Sequence, residues 1–402
     1  MFGLGVFSLF AISLLIFSFL LWLLYLIITI KNYNILPSLS KEKLKTEYPS
    51  VSVIIPTRNE SKRISPCIAS MKNQDYPDLE VIIIDDSNDD TVDVIKGIVN
   101  DDKRFKILKE KKLDQGWVGK PHAMQQGSRE AKGEWLLFID ADTVHTPHLI
   151  ASAIKHSIEK KLDMLSILAE LVCKTFWEKV IQPIPTGLLL FISPMGKVND
   201  PKTKNAFALG PFILIKKSVF EKIGGYEKIR GKIADDVEMA KMLKESGFKI
   251  GLAKAHDMMK LRMYEKFRDI WEGWSKNIFM GLVQKRQISS KGKQTLILLF
   301  GLFILFTMVV YPFISTLISL NLYYFVKNSL WLQILSISFF IWLFSILTQI
   351  FVHKKYHIGN PFFSPLYFIG GIVTMGIFLN SAFKTLSGKG VKWKDRVYKE
   401  NL

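Results

Sequence analysis

The sequence predicts an α/β fold, a doubly wound sheet flanked by an N-terminal transmembrane helix and by C-terminal transmembrane helices. Three observations lead to this class. Short apolar runs rich in β-branched residues alternate with helical patterns between residues 51 and 260, which is typical of an open sheet covered by helices. Residues 1–30 contain no charged side chain. Three further apolar stretches follow residue 294.

The first segment, residues 1–30, is predicted to be a retained membrane anchor. It exceeds the ~20 residues that are needed to cross the hydrocarbon layer of a bilayer. A cleaved signal peptide would begin with basic residues and end at a recognisable cleavage site, and this segment has neither. Residues 31–50 then form a basic linker.

Residues 51–260 are predicted to form one globular domain. Continuous β-branched runs indicate strands that are buried on both faces of a parallel sheet. The predicted strands are 51–56, 81–85, 105–108, 135–140 and 164–168, and the predicted helices are 63–73, 91–99, 121–132 and 147–160.

Polar clusters follow three of these strands: TRNE after the first, DDSNDD after the second and DADT after the fourth. In open α/β sheets, ligands bind beyond the carboxyl ends of the strands, so we expect the three clusters to share one crevice. Neither GxGxxG nor GxxxxGK[ST] is present in the sequence, which argues against a dinucleotide site and a P-loop.

The Asp-X-Asp motif of Asp140 and Asp142 is the first candidate for chemistry. Alternate residues of a strand point the same way, so the two carboxylates would converge and would favour a cation between them. Mg²⁺ or Mn²⁺ is the expected cation, since such ions are held by one or two carboxylates and by substrate phosphates. Lys120, after a glycine-containing loop, could supply a second positive group for the same phosphates. A solvated turn is the alternative.

A second acidic pair lies in ADDVEMA. Asp235 and Glu238 have the spacing of a capping box, which would commit the Asp235 carboxylate to backbone amides. Asp236 would then be free at the first helical position and is the candidate general base. The alternative is that both are helix N-terminal charges without another role.

Residues 261–293 are predicted to contain an amphipathic helix and a basic linker. Phe267, Trp271, Trp274 and Ile278 recur at helical spacing, and a tryptophan-bearing helix before a membrane span is expected to lie at the membrane interface. Packing of this helix against the soluble domain is the alternative.

Residues 294–383 are predicted to form a transmembrane bundle of about three spans, within 295–320, 330–352 and 362–383, followed by a basic tail, residues 384–402. Four spans in all would place that tail outside, against the positive-inside rule. A re-entrant last segment, or a hairpin around Pro312, would resolve the conflict.

The net charge of +18 arises largely beside the predicted spans. Lys31 and Lys41 follow the anchor, and Lys291 and Lys293 precede the bundle, as expected of cytoplasmic flanks. We therefore predict a multi-pass plasma-membrane protein with a cytoplasmic catalytic domain. Attraction to anionic lipid is a compatible interpretation. Nucleic acid is not an expected partner, because no basic-aromatic recognition motif is present.

With these motifs in order, the chain resembles the family 2 glycosyltransferases over about residues 51–250. The resemblance is carried by VSVIIPTRNE, VIIIDDSNDDT, GWVGKPHAMQQG, FIDADT, ALGPFILIKKSVFEKIGGY and ADDVEMA. It implies a GT-A-like doubly wound mixed sheet that binds a nucleotide sugar. Through GWVGK, FILIKK, GGY and RMY followed by WEGWSKN, the closer resemblance is to membrane-bound glycosyltransferases of the carotenoid and hopanoid lipid type.

The resemblance also implies roles for the donor side of the site. Thr57, Glu60 and Asp86 would contact the uridine of a UDP-sugar, and Lys120 would contact its diphosphate.

For the chemistry itself, Asp140 would lie near the ribose and diphosphate, and Asp142 would bind the metal directly. Asp236 would deprotonate the acceptor hydroxyl for inverting attack. The acceptor side would be lined by Arg262, Trp271, Trp274 and Lys276.

Two departures from the family pattern refine this expectation. The acidic pair is Asp-Asp in place of the usual Glu-Asp, and the QxxRW motif of processive members is absent. We therefore expect transfer of one sugar to a lipid hydroxyl. The alternatives are a polyprenyl-phosphate glycosyltransferase, a processive polysaccharide synthase, and a non-catalytic nucleotide-sugar-binding scaffold. The sequence identifies neither the sugar, the lipid nor the oligomeric state.

Overall fold

The structure is a computed structural model of the chain, and it describes residues 2–41, 47–232, 234–285, 290–387, 391–393 and 396–398. Parts of five predicted segments lie outside the described residues. These are residue 1 in the anchor, 42–46 in the basic linker, 233 in the globular domain, 286–289 before the bundle, and 388–390, 394–395 and 399–402 in the basic tail.

Twelve strands are described, and seven of them form one mixed sheet. The strands are β1 Val51–Thr57, β2 Leu79–Asp85, β3 Phe105–Lys109, β4 Trp135–Ile139, β5 Thr143–His145, β6 Met164–Leu168, β7 Glu170–Leu171, β8 Phe212–Lys216, β9 Ile250–Lys254, β10 Met259–Leu261, β11 Val391–Trp393 and β12 Arg396–Tyr398. The large sheet has the order β3-β2-β1-β4-β8-β6-β9, and only β8 runs antiparallel to its neighbours. This is the predicted class of sheet.

Two smaller sheets complete the β structure. Strand β10 pairs antiparallel with β5 and parallel with β7. This small sheet therefore brings the residues that follow β4 close to the chain around residue 262. Strands β11 and β12 form a hairpin near the C-terminus.

Fifteen α-helices are described, and they cover both faces of the large sheet or form the apolar bundle. They are α1 Phe2–Ile35, α2 Ile64–Lys72, α3 Thr91–Val99, α4 Gly119–Glu130, α5 Leu149–Glu159, α6 Phe176–Ile181, α7 Pro183–Ile192, α8 Met195–Val198, α9 Lys217–Lys222, α10 Asp235–Glu245, α11 Phe267–Lys285, α12 Lys291–Leu305, α13 Tyr311–Val326, α14 Ser329–Tyr356 and α15 Tyr367–Leu386. The four predicted helices correspond to α2 to α5.

The predicted strands form because their apolar runs fill both faces of the sheet. Along β1 and β2, alternate side chains enter two different cores: Ile54 and Ile82 lie in one, and Val53 and Val81 lie in the other. Strands β8 and β9 were not among the predicted strands. Both join the far side of the sheet through pairings distant in sequence, β8 to β4 and β9 to β6.

The core on one face of the sheet is continuous with the apolar bundle. Ile54 and Phe138 of the sheet share a cluster of buried residues with Trp22 of α1, Tyr356 of α14 and Tyr367 of α15. The opposite face is covered by α2, α3 and α5. The globular domain and the bundle are therefore packed together, since one apolar core includes residues of both.

Four helical segments of the described chain are long and apolar enough to cross a membrane: Ser8–Ile35, Lys291–Val326, Ser329–Tyr356 and Pro361–Leu386. The hairpin proposed around Pro312 is wrong, because α12, a π-helical segment and α13 form one continuous helical run. The π-helical segment is Phe306–Val310, and the indole Nε1 of Trp22 donates a hydrogen bond of 2.6 Å to the carbonyl oxygen of Met308 within it. The orientation of the four segments stays a prediction.

Helix α11 packs on protein along its apolar face. Ile270 and Trp274 are buried against Tyr264 and Ile181, and the backbone amide of Phe279 donates to the Ser381 hydroxyl of α15. Packing on protein, the alternative to a position at the membrane interface, is therefore observed. Its main partner is α15 of the bundle, so packing on the globular domain is confirmed only in part. The placement of α11 at the membrane interface stays a prediction.

The contact of α4 with the sheet leads to a prediction about two helical glycines. A Cβ added at Gly127 would lie 2.5 Å from Cγ2 of Ile54, a β-branched core side chain that cannot move away easily. We expect Gly127→Ala to lower the free energy of unfolding by about 1–3 kcal/mol. Thermal unfolding of the detergent-solubilised full chain measures this effect.

Gly97→Ala is the matched control for this change. Gly97 lies in α3 with open space around it, so alanine there is expected to raise stability by about 0.5–1 kcal/mol. Equal thermal midpoints for the two variants would contradict the described packing of α4.

Candidate active site

The polar clusters after β1, β2 and β4 meet at one edge of the sheet. Strand β1 pairs in parallel with both β2 and β4, so the three carboxyl ends lie side by side. The amide of Asp86 donates to the carbonyl of Thr57 at 3.0 Å, and the amide of Asp140 lies 3.4 Å from the carbonyl of Pro211. The expected convergence of the strand ends is therefore observed.

An ion pair between Lys120 and Asp140 occupies the middle of this edge. Lys120 is the second residue of α4, and its Nζ lies 2.5 Å from Oδ1 of Asp140. The loop before α4 is held in place by a bond of 2.8 Å from the amide of Val118 to the carbonyl of Arg230, and Gly116 supplies a φ of +84°. This loop geometry places the positively charged side chain of Lys120 at the end of β4.

Burial opposes the charge of Lys120, but the surrounding carboxylates outweigh it. The pKa of Lys120 is raised by Asp140, and also by Asp235 and Asp236. A Cβ added at Gly210 would lie 3.1 Å from Oδ2 of Asp236 and 3.3 Å from Nζ of Lys120. One ammonium group therefore serves three carboxylates from two separate parts of the chain.

The two aspartates at the start of α10 have the reverse of the predicted roles: Asp236, and not Asp235, accepts backbone amides. The N-cap of α10 is Ala234, without a side-chain hydrogen bond, and Asp235 is the first helical residue, so the predicted capping box is wrong. It is Asp236 whose carboxylate accepts backbone amides, from Gly210 and from Val237, each at 2.8 Å. The reason is tertiary: the loop before β8 brings the Gly210 amide to Asp236.

Asp235 is the more buried member of the pair. Its side chain is 7% exposed, and its Oδ2 has no hydrogen-bond partner among the described residues. Burial raises the pKa of Asp235 to about 6, while Lys120 works in the opposite direction. Burial likewise raises the pKa of Asp236, against Lys120 and the two backbone amides. Both groups thus hold protons more readily than ordinary aspartates.

Asp142, the other aspartate of the Asp-X-Asp motif, acts electrostatically on Arg63, a cation that the motif spacing does not indicate. Asp142 is half-buried, and its carbonyl accepts the amide of Arg262 at 3.2 Å. Arg63 binds Oε2 of Glu60 at 2.8 Å and donates to the carbonyl of Met263. Burial lowers the pKa of Arg63, yet Glu60 and then Asp142 raise it overall. The guanidinium therefore lies within electrostatic reach of both predicted site carboxylates.

The remaining predicted donor residues lie at the ends of β1 and β2. Thr57 is buried, and its hydroxyl donates to Oδ1 of Asp85 at 2.7 Å. Asp86 forms an ion pair with Arg58. These residues connect the two strand ends, and their predicted contact with uridine stays a prediction.

Among the predicted acceptor residues, Arg262 is held by acidic neighbours. Its guanidinium lies 3.0 Å from Oε1 of the fully buried Glu178 and 3.2 Å from Oε1 of Glu265. A guanidinium with these partners fixes the chain between β10 and α11.

The two tryptophans of α11 are divided between different surroundings. Trp271 packs against Gly376 of α15, where an added Cβ would lie 2.9 Å from the indole ring. Trp274 is buried, and its Nε1 has no hydrogen-bond partner among the described residues. Lys276 acts on Asp235, whose pKa it lowers. Only Lys276 of the predicted acceptor residues is thus electrostatically linked to the acidic pair.

The donor set at the end of β4 fits a hard divalent cation only in part. Asp140 and Asp142 provide oxygen ligands of the type that Mg²⁺ and Mn²⁺ prefer, and a single residue separates them in the sequence. In the part of the chain that the structure describes, no group of three His, Cys, Asp or Glu side chains could hold a metal by itself. The residues therefore fit an ion that receives further ligands from a diphosphate.

Two buried tyrosines complete the surroundings, and neither was among the predicted residues. Tyr226, in the GGY motif, is fully buried, and burial followed by Asp235 and Asp236 raises its pKa. Burial followed by Asp142 raises the pKa of Tyr264, in the RMY motif. Both motifs, GGY and RMY, belong to the family resemblance. Their positions in the sequence do not indicate that the two tyrosines lie close to the aspartates of the site.

Residues 52–224 match the sequence model of the family described as Glycosyl transferase family 2. This match confirms the resemblance for that part of the chain, and the mixed sheet is typical of the GT-A fold.

The chain is similar to a protein of Staphylococcus aureus strain MRSA252 called 4,4'-diaponeurosporenoate glycosyltransferase, with 24% identity over 259 residues. The protein of the same name from strain USA300 is equally similar. The aligned region covers 62% of this chain and 66% of each relative, just under two thirds of their length.

Two solved structures are similar in backbone trace. The mannosyltransferase PcManGT from Pyrobaculum calidifontis, in complex with GDP-Man and Mn²⁺, has a TM-score of 0.49 at 17% identity and covers 92% of this chain and 98% of its own. S. aureus TarS 1-349, in complex with UDP-GlcNAc, has a TM-score of 0.39 at 15% identity and covers 81% and 92%.

The raised pKa of Asp235 predicts a dependence of stability on pH. A carboxyl group whose pKa is raised on folding stabilises the fold below its unfolded value of 3.8, and this contribution is lost as the pH rises through about 6. We therefore expect Asp235→Asn to raise the thermal midpoint at pH 7.5 relative to wild type, with a gain that shrinks toward pH 4.

The control for this experiment is Asp93→Asn, at an exposed position in the first turn of α3. It should leave the pH dependence unchanged. A wild-type midpoint that rises relative to Asp235→Asn between pH 4 and 7 would contradict the assignment.

Proposed function

We propose that the chain is a membrane-bound inverting glycosyltransferase that transfers a single sugar from a UDP-sugar to a lipid hydroxyl at the cytoplasmic leaflet. The observation that carries the proposal is the Lys120–Asp140 ion pair at the carboxyl edge of the sheet, adjacent to the acidic pair of α10. An ammonium group on a half-buried side chain, next to a divalent-ion ligand set, suits a diphosphate, which needs positive charge from two sides.

The donor side uses residues of the family domain. Thr57, Glu60 and Asp86 would bind the uridine at the ends of β1 and β2, and Lys120 would bind the diphosphate. Burial by itself would favour the neutral amine of Lys120, but the aspartates around it raise its pKa overall, so Lys120 is charged at neutral pH. When the diphosphate enters, its negative charge would compete with Asp140 for this ammonium, so binding would rearrange the ion pair.

Asp142, supported by Asp140, would hold Mg²⁺ or Mn²⁺, and this ion would supply Lewis-acid stabilisation of the departing diphosphate. The site also contains Arg63 within electrostatic reach of Asp142. Arg63 would therefore balance the charge of Asp142 and Glu60 before the donor binds.

In the transfer itself, the acceptor hydroxyl oxygen forms a bond to the anomeric carbon from the face opposite the diphosphate. The anomeric bond to the diphosphate breaks, the nucleoside diphosphate leaves, and the hydroxyl proton passes to Asp236. Each oxygen of Asp236 accepts one backbone amide and keeps a second lone pair for this proton. Its raised pKa suits a general base.

The lipid acceptor is supported by two observations. The curated relatives are named for the glycosylation of 4,4'-diaponeurosporenoate. Helix α11 connects Lys276, which acts on Asp235, to α15 through the contact of Phe279 with Ser381. An acceptor that approaches along α15 would thus reach the acidic pair without leaving the bundle.

The first functional prediction concerns the metal ligand and the base. With purified full chain, Mg²⁺ or Mn²⁺ and a lipid extract, we expect Asp142→Ala to abolish sugar transfer from UDP-sugars. We expect Asp236→Asn to lower the transfer rate by about 10²–10⁴-fold, the usual contribution of a general base. Radiolabelled sugar recovered in the lipid phase measures both.

Asp93→Asn, on the exposed side of α3, is the matched control and should keep the wild-type rate. Transfer by Asp236→Asn at the wild-type rate, together with loss in Asp142→Ala, would instead support a polyprenyl-phosphate acceptor, which is already ionised. Binding of UDP without any turnover would support the non-catalytic scaffold.

The second functional prediction concerns the product. Because the QxxRW motif is absent, the expected product carries one hexose, and mass spectrometry of lipids from cells with and without the protein should show a shift of a single sugar. A ladder of masses separated by one sugar would instead indicate a processive polysaccharide synthase.

A further inference from the structure

A compact group of basic and aromatic side chains lies where α1, β9 and α14 end. We call it the junction cluster, and it consists of Tyr33, Lys254, His256, Lys355 and His357. The Nζ atoms of Lys254 and Lys355 lie 4.1 Å and 4.7 Å from the centre of the Tyr33 ring. The imidazoles of His256 and His357 stack with centres 4.7 Å apart, and His256 also stacks on Tyr33 at 6.0 Å.

The two lysines of the junction cluster have no carboxylate partner in the part of the chain that the structure describes. Among the described residues, no carboxylate forms an ion pair with Lys254 or Lys355, and the neighbouring Asp257 pairs with Lys41 at 3.0 Å. Burial, and then Lys355, lower the pKa of Lys254. Lys254 also donates a hydrogen bond of 3.1 Å to the carbonyl oxygen of Tyr33. Two ammonium groups at one aromatic ring still repel each other, and a bound anion would relieve that repulsion.

The position of the cluster indicates where such an anion would come from. Tyr33 lies near the end of the apolar segment Ser8–Ile35, and Lys355 near the end of Ser329–Tyr356, so both segments reach the cluster with their C-terminal ends. Aromatic and basic residues at the ends of spans are typical of the boundary between hydrocarbon and water.

The surface of α14 below the cluster is apolar and exposed. Leu347 and Phe351 are 55% and 38% exposed, and they precede Lys355 by eight and four residues. Residues spaced by four lie on the same face of a helix, so an apolar track leads directly to the lysine. A molecule that covers this face would need an acyl chain below and an anionic group at the level of Lys355.

We propose that the junction cluster binds the phosphate of an anionic phospholipid, with the acyl chain along Leu347 and Phe351. Lys254 and Lys355 would contact the phosphate as point charges, and Tyr33 would lie beside the headgroup. The lipid would connect three parts of the chain: the first span, the edge strand β9 and the third span.

This site is separate from the candidate active site. Strand β9 is three positions from β4 in the sheet, which is about 14 Å at a strand spacing of ~4.8 Å. The cluster shares no residue with the candidate active site, although β9 ends at the same edge of the sheet as β4. The proposal does not depend on the transfer reaction, and it can be tested without an activity assay.

The test measures lipid binding to the detergent-solubilised full chain by native mass spectrometry and by the shift of the thermal midpoint. Phosphatidylglycerol is the probe, phosphatidylcholine is the zwitterionic control, and inorganic phosphate is the soluble source of the same group. We expect phosphatidylglycerol to bind wild type about 10- to 30-fold more tightly than it binds the double variant Lys254→Gln/Lys355→Gln.

The matched control is Lys103→Gln/Lys132→Gln, which removes the same charge from exposed positions that precede β3 and β4, at the opposite edge of the sheet. It should bind phosphatidylglycerol as wild type does. Lys254→Arg/Lys355→Arg keeps the charge and should retain most of the binding, which separates a charge effect from a loss of packing.

Three outcomes would overturn the proposal. Equal binding of phosphatidylglycerol to wild type and to the glutamine variant would show that the junction cluster is not the binding site. Equal binding of phosphatidylcholine would show that negative charge is not recognised. Displacement of phosphatidylglycerol by inorganic phosphate at equal concentration would identify a free anion, in place of a lipid, as the ligand.

Discussion

The ammonium group of Lys120 is the element on which the candidate active site depends, because three carboxylates approach it from separate parts of the chain. Asp140 arrives at the end of β4, and Asp235 and Asp236 at the start of α10. Without a cation between them, three such carboxylates could not all be ionised at neutral pH, since their desolvation and mutual repulsion would favour protons. The loop before α4, the end of β4, the Gly210 loop and α10 therefore have to be correctly placed together.

The site also depends on the continuity of the apolar core. Trp22, Tyr356 and Tyr367 belong to the bundle, yet they are buried in the same cluster as Ile54 and Phe138 of the sheet. A sheet held in this way has a fixed position relative to the apolar helices. The carboxyl edge, α11 and α15 are then connected without a flexible linker among the described residues, which suits a reaction between a soluble donor and a membrane-bound acceptor.

Local pattern predicted those elements whose formation is decided locally. The β-branched runs of β1, β2 and β4 indicated buried strands because each fills both faces of the sheet. The same approach missed β8 and β9, whose places come from pairing with β4 and β6 far away in sequence. It also misassigned the acidic pair: the spacing of Asp235 and Glu238 fits a capping box, but the amide that decides the matter belongs to Gly210, 26 residues away from Asp236.

The amino-acid sequence alone indicates the class of the sheet, the family resemblance of residues 52–224, the apolar segments, and the residue types that gather at the strand ends. These follow from periodicity, composition and motif order, which are properties of neighbouring residues. Three other features emerge from the folded chain: Asp236 is the aspartate that accepts backbone amides, Arg63 is within electrostatic reach of Asp142, and Lys254 and Lys355 share the ring of Tyr33. Each of these depends on distances between groups that are far apart along the chain, and such distances are set by the packing of the whole core.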